Sequence, residues 1–412
     1  MSKRILVVSQ HFWPESFRIN DICKSFIEEG CEVEVLCGIP NYPEGEFYAG
    51  YGMTKRRHQK KGSITIRRCF EIKRGSNSNL RIFLNYISFP MSSVFHLPYL
   101  LTQKYDRIFL FQTSPVLMSI TGILLGRIKK IETTMYVLDL WPENLYSVLE
   151  VRSKVLRKIA YAVSTWHYRK TDKLIANSKK LQEILMERTG KKESDITYIP
   201  QFCEKLYEKS ISNEHLLKRF SGTFNMVFTG NISPAQSFET VIKAAKIVKE
   251  RGFNKIAWVI VGDGMSRKWL EDQVKEEGLS SSFVFVGQVP MSEIPKYTGM
   301  ADGLFACLSK SEMLDCALPA KIFSYYAAGK PIIVAMDGEI QGIVKESGAG
   351  VAVDAEDAMG LANSVIKLYQ SNDVERKQMG ESAKEYYYRY FERNLNMRKL
   401  IDFMFDDKDL RK

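Results

Sequence analysis

The sequence is most informative first through what it lacks. It has no low-complexity tract and no repeat at a fixed period of about 20–50 residues, which excludes solenoids and arrays. With 45% hydrophobic and 26% charged residues it has the composition of an ordinary globular protein, not of a disordered one. At 412 residues it exceeds the roughly 250–300 at which one hydrophobic core stops growing, so we expect two domains.

The cysteines also lack a pattern. The seven form no CxxC pair and no cluster with histidine, which favours small buried residues in a reducing compartment over a zinc site or a disulfide framework. The N-terminal apolar run, ILVV, is too short for a signal-peptide core of about 7–15 residues. These observations predict a cytoplasmic protein.

Acidic residues are scarce in the first half of the chain. Residues 1–200 carry a net charge of +12 and the rest −1, which together give the +11 of the whole chain. A basic half favours contact with nucleic acid or with an anionic membrane surface. Because no recognised nucleic-acid-binding motif is present, the sequence favours the membrane and predicts no nucleic-acid partner.

Two consecutive series of alternating strands and helices can be identified. The first starts with RILVVS at 4–9, a helical pattern at 19–29 and EVEVLC at 32–37. The second restarts with NMVF at 225–228, followed by a helical segment and AWVIV at 257–261. Strand–helix–strand units are typical of doubly wound parallel sheets. We therefore predict an α/β protein with two Rossmann-like domains, residues 1–200 and 201–384, and a C-terminal helix at about 385–412 that packs back on the first domain.

Two uncharged runs interrupt this alternation. Residues 82–101 and 108–126 are each long enough to cross a bilayer, which needs about 20 apolar residues. Prolines and polar residues in both runs favour buried or interfacial helices, and the second is better explained as a strand, a loop and a helix. The first run follows the basic segment at 55–61 and is bordered by further arginines and lysines, an arrangement typical either of a surface that lies on a membrane or of a solvated basic loop.

Glycine-containing loops follow two strands of the second series. Gly230 and the Gly262-Asp263-Gly264 turn each stand between a strand and a helix, where backbone N–H groups can bind phosphate. Arg267 lies three residues after the second loop. Two such loops beside a cation predict a site for a nucleotide diphosphate.

A third segment, DCALPAKIFSYYAAGKPIIV at 315–334, contains a lysine at an unusual place. Pro319 predicts a helix start, so Lys321 falls in the first turn, where its charge opposes the helix dipole. A bound anion would compensate for this. Ser324 lies one turn further on the same face, where it can bond a ribose or a phosphate. An ordinary capped helix is the alternative interpretation.

The series GNISPAQSFETVIKAA, VGDGMSRKWLE, FVGQVPMSEIPKY and PAKIFSYYAAGKPII resembles the donor domain of glycosyltransferase family four. In the first half, HFWPESFRINDI, GIPNYPEGEFYAGY and YVLDLWPENLYSV resemble its subgroup for capsule and O-antigen synthesis, above all the N-acetylfucosamine transferases. The resemblance covers nearly the whole chain. It implies a GT-B fold with the two domains facing a cleft, a UDP-sugar donor, retention of configuration, and neither a metal nor another cofactor.

Some positions depart from the family pattern. Where many members carry an arginine and a lysine in the first glycine loop, this chain has Asn231 and Gln236. Where many carry two glutamates, it has Cys316 and Ser324. The resemblance then assigns the diphosphate to Arg267 and Lys321, and the donor site as a whole to these residues: Gly230, Asn231, Gln236, Gly262, Asp263, Gly264, Arg267, Lys321 and Ser324.

Two similar motifs, HFWPE at 11–15 and DLWPE at 139–143, follow strands of the first domain. Each places a carboxylate beside a tryptophan, a pair suited to sugars because the ring stacks on C–H faces while the acid accepts hydroxyl protons. A core role for the tryptophans and a capping role for the acids is the alternative. PNYPEGEFYAGYG at 40–52 is typical of an acceptor loop. The predicted acceptor-binding residues are His11, Trp13, Glu15, Asn41, Tyr42 and Trp141, and the predicted catalytic residues are Asp139, Glu143, Arg267 and Lys321.

These features predict a retaining glycosyltransferase that moves a sugar, such as an N-acetylated deoxyhexose, from a UDP-sugar to a polyprenyl-diphosphate-linked saccharide in capsule or O-antigen synthesis. It would act at the inner face of the cytoplasmic membrane as a peripheral protein. Two alternatives stay open at this point: a non-catalytic scaffold that binds nucleotide sugars, and a nucleotide-sugar epimerase of the same fold.

Overall fold

The computed structural model describes residues 2–75, 79–143, 153–208, 211, 213–311, 314–316 and 318–405. The chain forms two compact units. Unit 1 contains the residues up to Ile199 and those from Met397 onward, and unit 2 contains Pro200–Asn396. Each unit is a parallel β-sheet with helices on its faces.

The sheet of unit 1 has eight strands in the order β3-β4-β2-β1-β5-β6-β7-β8, and all neighbours are parallel except the β3–β4 pair. The strands are β1 (Arg4–Val8), β2 (Glu32–Cys37), β3 (His58–Lys61), β4 (Ile64–Arg68), β5 (Arg107–Gln112), β6 (Thr133–Val137), β7 (Lys173–Ala176) and β8 (Ile196–Tyr198). The inner strands are buried along nearly their whole length, because helices cover both faces of such a sheet.

The helices of unit 1 are mostly short. They are α1 (Ile19–Glu28), α2 (Asn79–Val94), α3 (Leu97–Thr102), α4 (Ile120–Lys129), α5 (Lys154–Lys170) and α6 (Lys179–Thr189). The last helix of the described chain, α15 (Arg393–Met404), ends in this unit. Its carbonyl groups accept bonds from the side chains of Arg107, at 2.7 Å, and Lys173, at 2.9 Å.

The sheet of unit 2 has six parallel strands in the order β11-β10-β9-β12-β13-β14. The strands are β9 (Phe224–Thr229), β10 (Ile256–Val261), β11 (Phe283–Gly287), β12 (Gly303–Cys307), β13 (Ile332–Ala335) and β14 (Gly350–Val353). The helices are α7 (Glu214–Arg219), α8 (Phe238–Glu250), α9 (Arg267–Glu276), α10 (Ile294–Met300), α11 (Ala320–Ala328), α12 (Glu339–Ser347), α13 (Ala358–Gln370) and α14 (Asp373–Tyr386). Two apolar clusters, one on each face of the sheet, form its core.

The strand order locates the binding edge of each unit. In unit 2 the first strand, β9, lies between β10 and β12, so the connections leave it in opposite directions. The same reversal occurs in unit 1 between β1 and β5. A crevice opens at such a switch point beyond the carboxyl ends of the strands, and ligands bind there. The loops after β1, β9 and β12 therefore lie where ligand binding is expected.

The uncharged run at 82–101 forms parts of α2 and α3, with Pro90 inside α2. Phe89 and Leu100 are buried, while Phe95 is exposed. The run at 108–126 forms a strand, a short 3-10 turn and a helix, as the sequence predicted. In the part of the chain that the structure describes, no helix combines the length and apolar composition needed to cross a bilayer.

Candidate functional site

Two glycine loops of unit 2 pack backbone against backbone. The loop after β9 and the loop after β10 are joined by a bond from the Ile232 N–H to the Asp263 carbonyl, at 2.8 Å. A Cβ atom on Gly262 would lie 1.9 Å from the Gly230 carbonyl oxygen, and one on Gly264 would lie 2.2 Å from the Ile232 carbonyl oxygen. Both glycines also have positive φ angles. Only glycine fits at these two positions. The close approach of the loops therefore depends on Gly262 and Gly264, both part of the turn that the sequence predicted to bind phosphate.

Lys321 reaches this pair of loops from the other side of the switch point. It is the second residue of α11, and this helix begins directly after Pro319, as predicted. Its ammonium lies 3.8 Å from the centre of the Phe228 ring and donates a hydrogen bond to Gln236 Oε1. A Cβ on Gly230 would be 3.4 Å from the ammonium nitrogen. Residues far apart in the sequence thus bring a cation to the first glycine loop.

No carboxylate forms an ion pair with Lys321 among the residues that the structure describes. Part of the side chain stays accessible, but the ammonium is packed among protein atoms. Burial lowers the pKa of Lys321 to about 7. Its position in the first turn of α11 adds to the electrostatic cost, because the helix dipole is positive there. The arrangement is therefore suited to an anion that supplies the missing charge.

Arg267, the second predicted cation, has a different environment. Its Nη1 lies 2.9 Å from Asp263 Oδ2 and its Nε lies 2.8 Å from Glu271 Oε1, and 31% of the side chain is exposed. These carboxylates raise the pKa of Arg267. The guanidinium stands beside Gly287, whose added Cβ would be 3.3 Å from Nη1. It borders the glycine loops, but its charge is already neutralised.

This contrast leads to a first prediction. Replacing Arg267 by alanine should weaken UDP binding by less than about tenfold, because a diphosphate must compete with two carboxylates for this cation. Replacing Lys321 should weaken binding more. Isothermal titration calorimetry with UDP measures both variants, and Lys268→Ala, at the neighbouring exposed lysine, is the control. A larger loss for Arg267 than for Lys321 would reverse the assignment.

The remaining predicted donor residues lie near these loops or beneath them. Asn231 is exposed, and its side-chain oxygen fills the space next to Gly264. Gln236 is committed to Lys321. Ser324 and Cys316, which stand where many family members have glutamates, are both buried. The roles of Asn231 and Ser324 in donor binding stay predictions.

The acceptor residues predicted in the HFWPE motif form a buried polar cluster in unit 1. The carboxylate of Glu15 accepts hydrogen bonds from the backbone N–H groups of Asn41, at 2.9 Å, and Tyr42, at 2.8 Å. It also lies 3.2 Å from His11 Nδ1. Burial alone would lower the pKa of His11, but the Glu15 carboxylate raises it, and the net shift is upward. Glu15 therefore holds the loop at 40–52 to the end of β1, which makes it a positioning residue in this structure.

The tryptophans of the two motifs, Trp13 and Trp141, have different surroundings. Trp141 is 5% exposed and packs in the apolar core of unit 1. The ring of Trp13 is covered by the Lys61 ammonium, at 3.9 Å. Of the two interpretations that the sequence left open, burial favours the structural one for Trp141. For Trp13, a sugar can stack on the ring face that Lys61 covers only after it displaces Lys61.

The acids of the DLWPE motif differ in their surroundings. The carboxylate of Glu143 lies 3.3 Å from Nη1 of the buried Arg188. The backbone carbonyl of Asp139 accepts a bond from Gln112, which ends β5 at the switch point of this unit. Asp139 thus lies at the edge expected for an acceptor site, whereas Glu143 is tied to α6. Their catalytic roles stay predictions.

Sequence reasoning missed several residues at these two edges. Phe228, inside a strand pattern, forms the floor beneath Lys321. In unit 1, Glu71 is fully buried and accepts bonds from Gln10, at 2.6 Å, and Asn85, at 2.8 Å. Burial raises the pKa of Glu71 to about 7, although His11 opposes this. No local pattern signals either contact, since the partners lie on separate elements.

Comparison with known proteins identifies the second unit. Residues 216–386 match the family model of glycosyl transferases group 1. The match covers the glycine loops, Arg267 and Lys321. Unit 2 is therefore similar to the glycosyl transferases of group 1 over most of its length.

A curated relative shows a similarity of the same kind. The chain is 24% identical over 194 residues to a 2-deoxystreptamine glucosyltransferase of Streptomyces kanamyceticus, a match that covers 46% of this chain. It spans about half the length of that relative, 49%.

The fold matches solved structures over nearly their whole length. A sucrose-phosphate synthase of Thermosynechococcus elongatus has a TM-score of 0.75 at 15% identity, with 97% of this chain and 98% of that chain covered. Anabaena Alr3699/HepE in complex with UDP-glucose has a TM-score of 0.70 at 14% identity, with 97% and 98% covered. The prediction of a two-domain α/β fold of the GT-B type is thus confirmed.

Proposed function

We propose that this protein is a retaining glycosyltransferase that takes its sugar from a UDP-sugar. The observation that carries the proposal is Lys321, a poorly solvated cation without a carboxylate partner among the described residues, held beside two interlocked glycine loops at a topological switch point. A leaving diphosphate supplies the negative charge that the ammonium of Lys321 lacks nearby. A solved neighbour of the same fold contains UDP-glucose, which supports uridine as the base.

The proposed step breaks the bond between the sugar C1 and the diphosphate oxygen, whose electron pair stays with the UDP. The acceptor hydroxyl forms the new bond to C1 from the same face, and its proton passes to the departing phosphate oxygen. Lys321 and the backbone N–H groups of the glycine loops stabilise the charge that develops on the diphosphate. We propose that these groups suffice without a metal or another cofactor.

For the acceptor we propose a polyprenyl-diphosphate-linked saccharide of capsule or O-antigen synthesis. The subgroup resemblance of the first half and its net charge of +12 support this choice. We also propose that the protein is cytoplasmic and binds peripherally to the inner face of the cytoplasmic membrane, since a lipid-linked acceptor lies in that surface. The donor sugar that fits the subgroup is an N-acetylated deoxyhexose.

The test combines binding with turnover. Calorimetry with UDP and UDP-sugars should show binding, and incubation of the bound donor with a polyprenyl-diphosphate saccharide should give a lengthened lipid-linked product. Binding without transfer to any acceptor would instead support a scaffold. Conversion of the donor without an acceptor would indicate an epimerase, and no binding of any nucleotide sugar would contradict the whole proposal.

The pH dependence of UDP binding provides a second prediction. Because the pKa of Lys321 is lowered to about 7, roughly half of the free protein carries a neutral amine at pH 7. The diphosphate binds the charged form, so above pH 7 binding requires proton uptake and the Kd should rise by up to about tenfold per pH unit. Below pH 7 the contribution of Lys321 should be constant. Calorimetry from pH 6 to 9 measures this, and Lys321→Met should lose the rise above pH 7; a rise that persists in the variant would refute the role of Lys321.

A further inference from the structure

The first half of α5 exposes apolar side chains that have no place in a core. Val155 is 68% exposed, Leu156 58% and Ile159 54%. The buried residues of this helix, such as His167 and Tyr168, all lie in its second half. A surface helix of a globular protein normally turns its apolar residues inward. In the first two turns of α5 the apolar residues are exposed together with the charged ones, which indicates an interaction surface.

The charge of α5 restricts the kind of partner. Its sequence, KVLRKIAYAVSTWHYRK, contains five lysines and arginines and no aspartate or glutamate. Three of these cations, Lys154, Arg157 and Lys158, alternate with the exposed apolar residues and are themselves exposed. A second copy of the same face would bring like charges together. The combination fits a partner that is both apolar and anionic.

A groove continues this surface along the second half of the helix. It has a volume of about 760 Å³ and lies between α5 and α6. Its lining includes Tyr161, Trp166, Arg169 and Lys170, and Glu187 is the one carboxylate among the described lining residues. Trp and Tyr are the aromatic residues found at the headgroup level of membranes, and arginine and lysine bond phosphate oxygens. The groove thus has the chemistry for a lipid headgroup.

The other apolar surface of unit 1 is less suitable. Helix α2 also exposes apolar residues, among them Phe83 and Met91, but Arg81 is its only basic residue. The attraction to acidic lipid is about 1 kcal/mol for each cation near the surface, about fivefold in affinity, so five cations favour α5 strongly. Charge therefore selects α5 as the principal contact.

We propose that α5 is the element through which this protein lies on an anionic lipid surface. Val155, Leu156 and Ile159 enter the boundary between headgroups and acyl chains, and the groove beside Trp166, with Arg169 and Lys170, takes a lipid phosphate. This inference deepens the proposed function, because it names the contact that brings unit 1 to a lipid-linked acceptor.

Vesicle sedimentation with the full-length protein tests the proposal. The protein should bind phosphatidylglycerol vesicles, bind phosphatidylcholine vesicles much more weakly, and lose most of its binding in about 0.5 M salt. K154E/R157E/K158E should bind at least about 100-fold more weakly, at the rate of about fivefold for each cation removed. V155S/L156S/I159S should also bind about 100-fold more weakly, because three apolar side chains no longer enter the lipid. Soluble glycerol phosphate should not compete, because the apolar contact requires a lipid.

Matched controls come from unit 2. Val374 is 77% exposed on α14, a helix that contains carboxylates, so V374S should bind vesicles like the wild type. The exposed lysines Lys275, Lys345 and Lys377 give the control K275E/K345E/K377E, which removes the same charge. Equal losses in both charge variants would reduce the effect to net charge and overturn the proposal. So would unchanged binding in the α5 variants, or a dimer of the wild type in light scattering that the V155S/L156S/I159S change dissociates.

The two proposals fail separately. The α5 variants change exposed residues of unit 1, so their melting temperature and their UDP affinity should equal those of the wild type. If the protein binds vesicles but no nucleotide sugar, the proposed glycosyltransferase activity is contradicted and the proposed lipid contact of α5 stands. If it binds and transfers a sugar but does not bind vesicles, the lipid contact is contradicted and the activity stands.

Discussion

Replacing Lys321 by methionine should slow sugar transfer by about 100-fold or more and at the same time make the protein more stable. The loss follows from the removal of the cation that stabilises the leaving diphosphate in a poorly solvated site. The gain follows from the removal of a charge whose pKa is lowered by burial, at the positive end of α11. We expect an increase in the free energy of unfolding of roughly 2 kcal/mol at neutral pH.

The stability difference should also depend on pH in a defined direction. A lysine whose folded pKa lies below its unfolded pKa destabilises the folded state most at pH values below the folded pKa, here below about 7, and this penalty fades as the pH rises toward 10.5. Thermal denaturation at several pH values, together with a transfer assay, measures both effects. Lys330→Met is the matched control, because burial lowers the pKa of Lys330 as well, although Asp302 opposes this shift. An unchanged transfer rate would contradict the role of Lys321 in stabilising the leaving diphosphate, and a loss of stability at pH 7 would contradict the electrostatic cost of its burial.

A single methyl group on Gly262 should be enough to disorganise the donor site. The added Cβ would lie 1.9 Å from the Gly230 carbonyl oxygen, and both atoms belong to backbone that cannot rotate away. Gly262 also has a φ angle of 148°, a region that other residues rarely adopt. We expect Gly262→Ala to destabilise unit 2 by about 2–4 kcal/mol and to weaken UDP binding by at least about tenfold.

The control for this prediction is Gly278→Ala. Gly278 also has a positive φ, 65°, but a Cβ there would meet nothing within 4 Å. That change should cost about 1 kcal/mol through strain alone and leave UDP binding unaltered. Urea denaturation and calorimetry compare the two variants. Equal effects would mean that the close contact between the loops has no functional weight.

The fold was predictable from the sequence because buried parallel strands are continuous apolar runs. The run at 32–37 matches β2 residue for residue, NMVF lies inside β9, and AWVIV lies inside β10. Helix starts were equally clear: Pro319 precedes α11, which places Lys321 in the first turn. Local sterics and hydrophobicity decide where strands lie and where helices begin, and both depend on residues that are neighbours in the sequence.

The chemistry of the candidate site was only partly predictable. The ion pairs of Arg267 with Asp263 and Glu271 follow the i, i+4 spacing, so the sequence alone predicts them. The pairing of Lys321 with Gln236 joins residues 85 positions apart, and no local pattern encodes it. The burial of individual side chains was also not predictable from the motifs. Trp13 and Trp141 stand in nearly identical motifs, but only Trp141 packs in the core.

The interrupted path of the chain has a consequence for biosynthesis. Unit 2 is one continuous segment, whereas unit 1 also includes residues from the end of the described chain. Carbonyl groups of α15, the last described helix, accept bonds from Arg107 and Lys173, and Phe405, which follows this helix, contacts Lys3. A ribosome makes those residues only after the whole of unit 2 has been synthesised. During translation the N-terminal sheet therefore lacks these contacts until the end, so unit 1 begins first but is completed last.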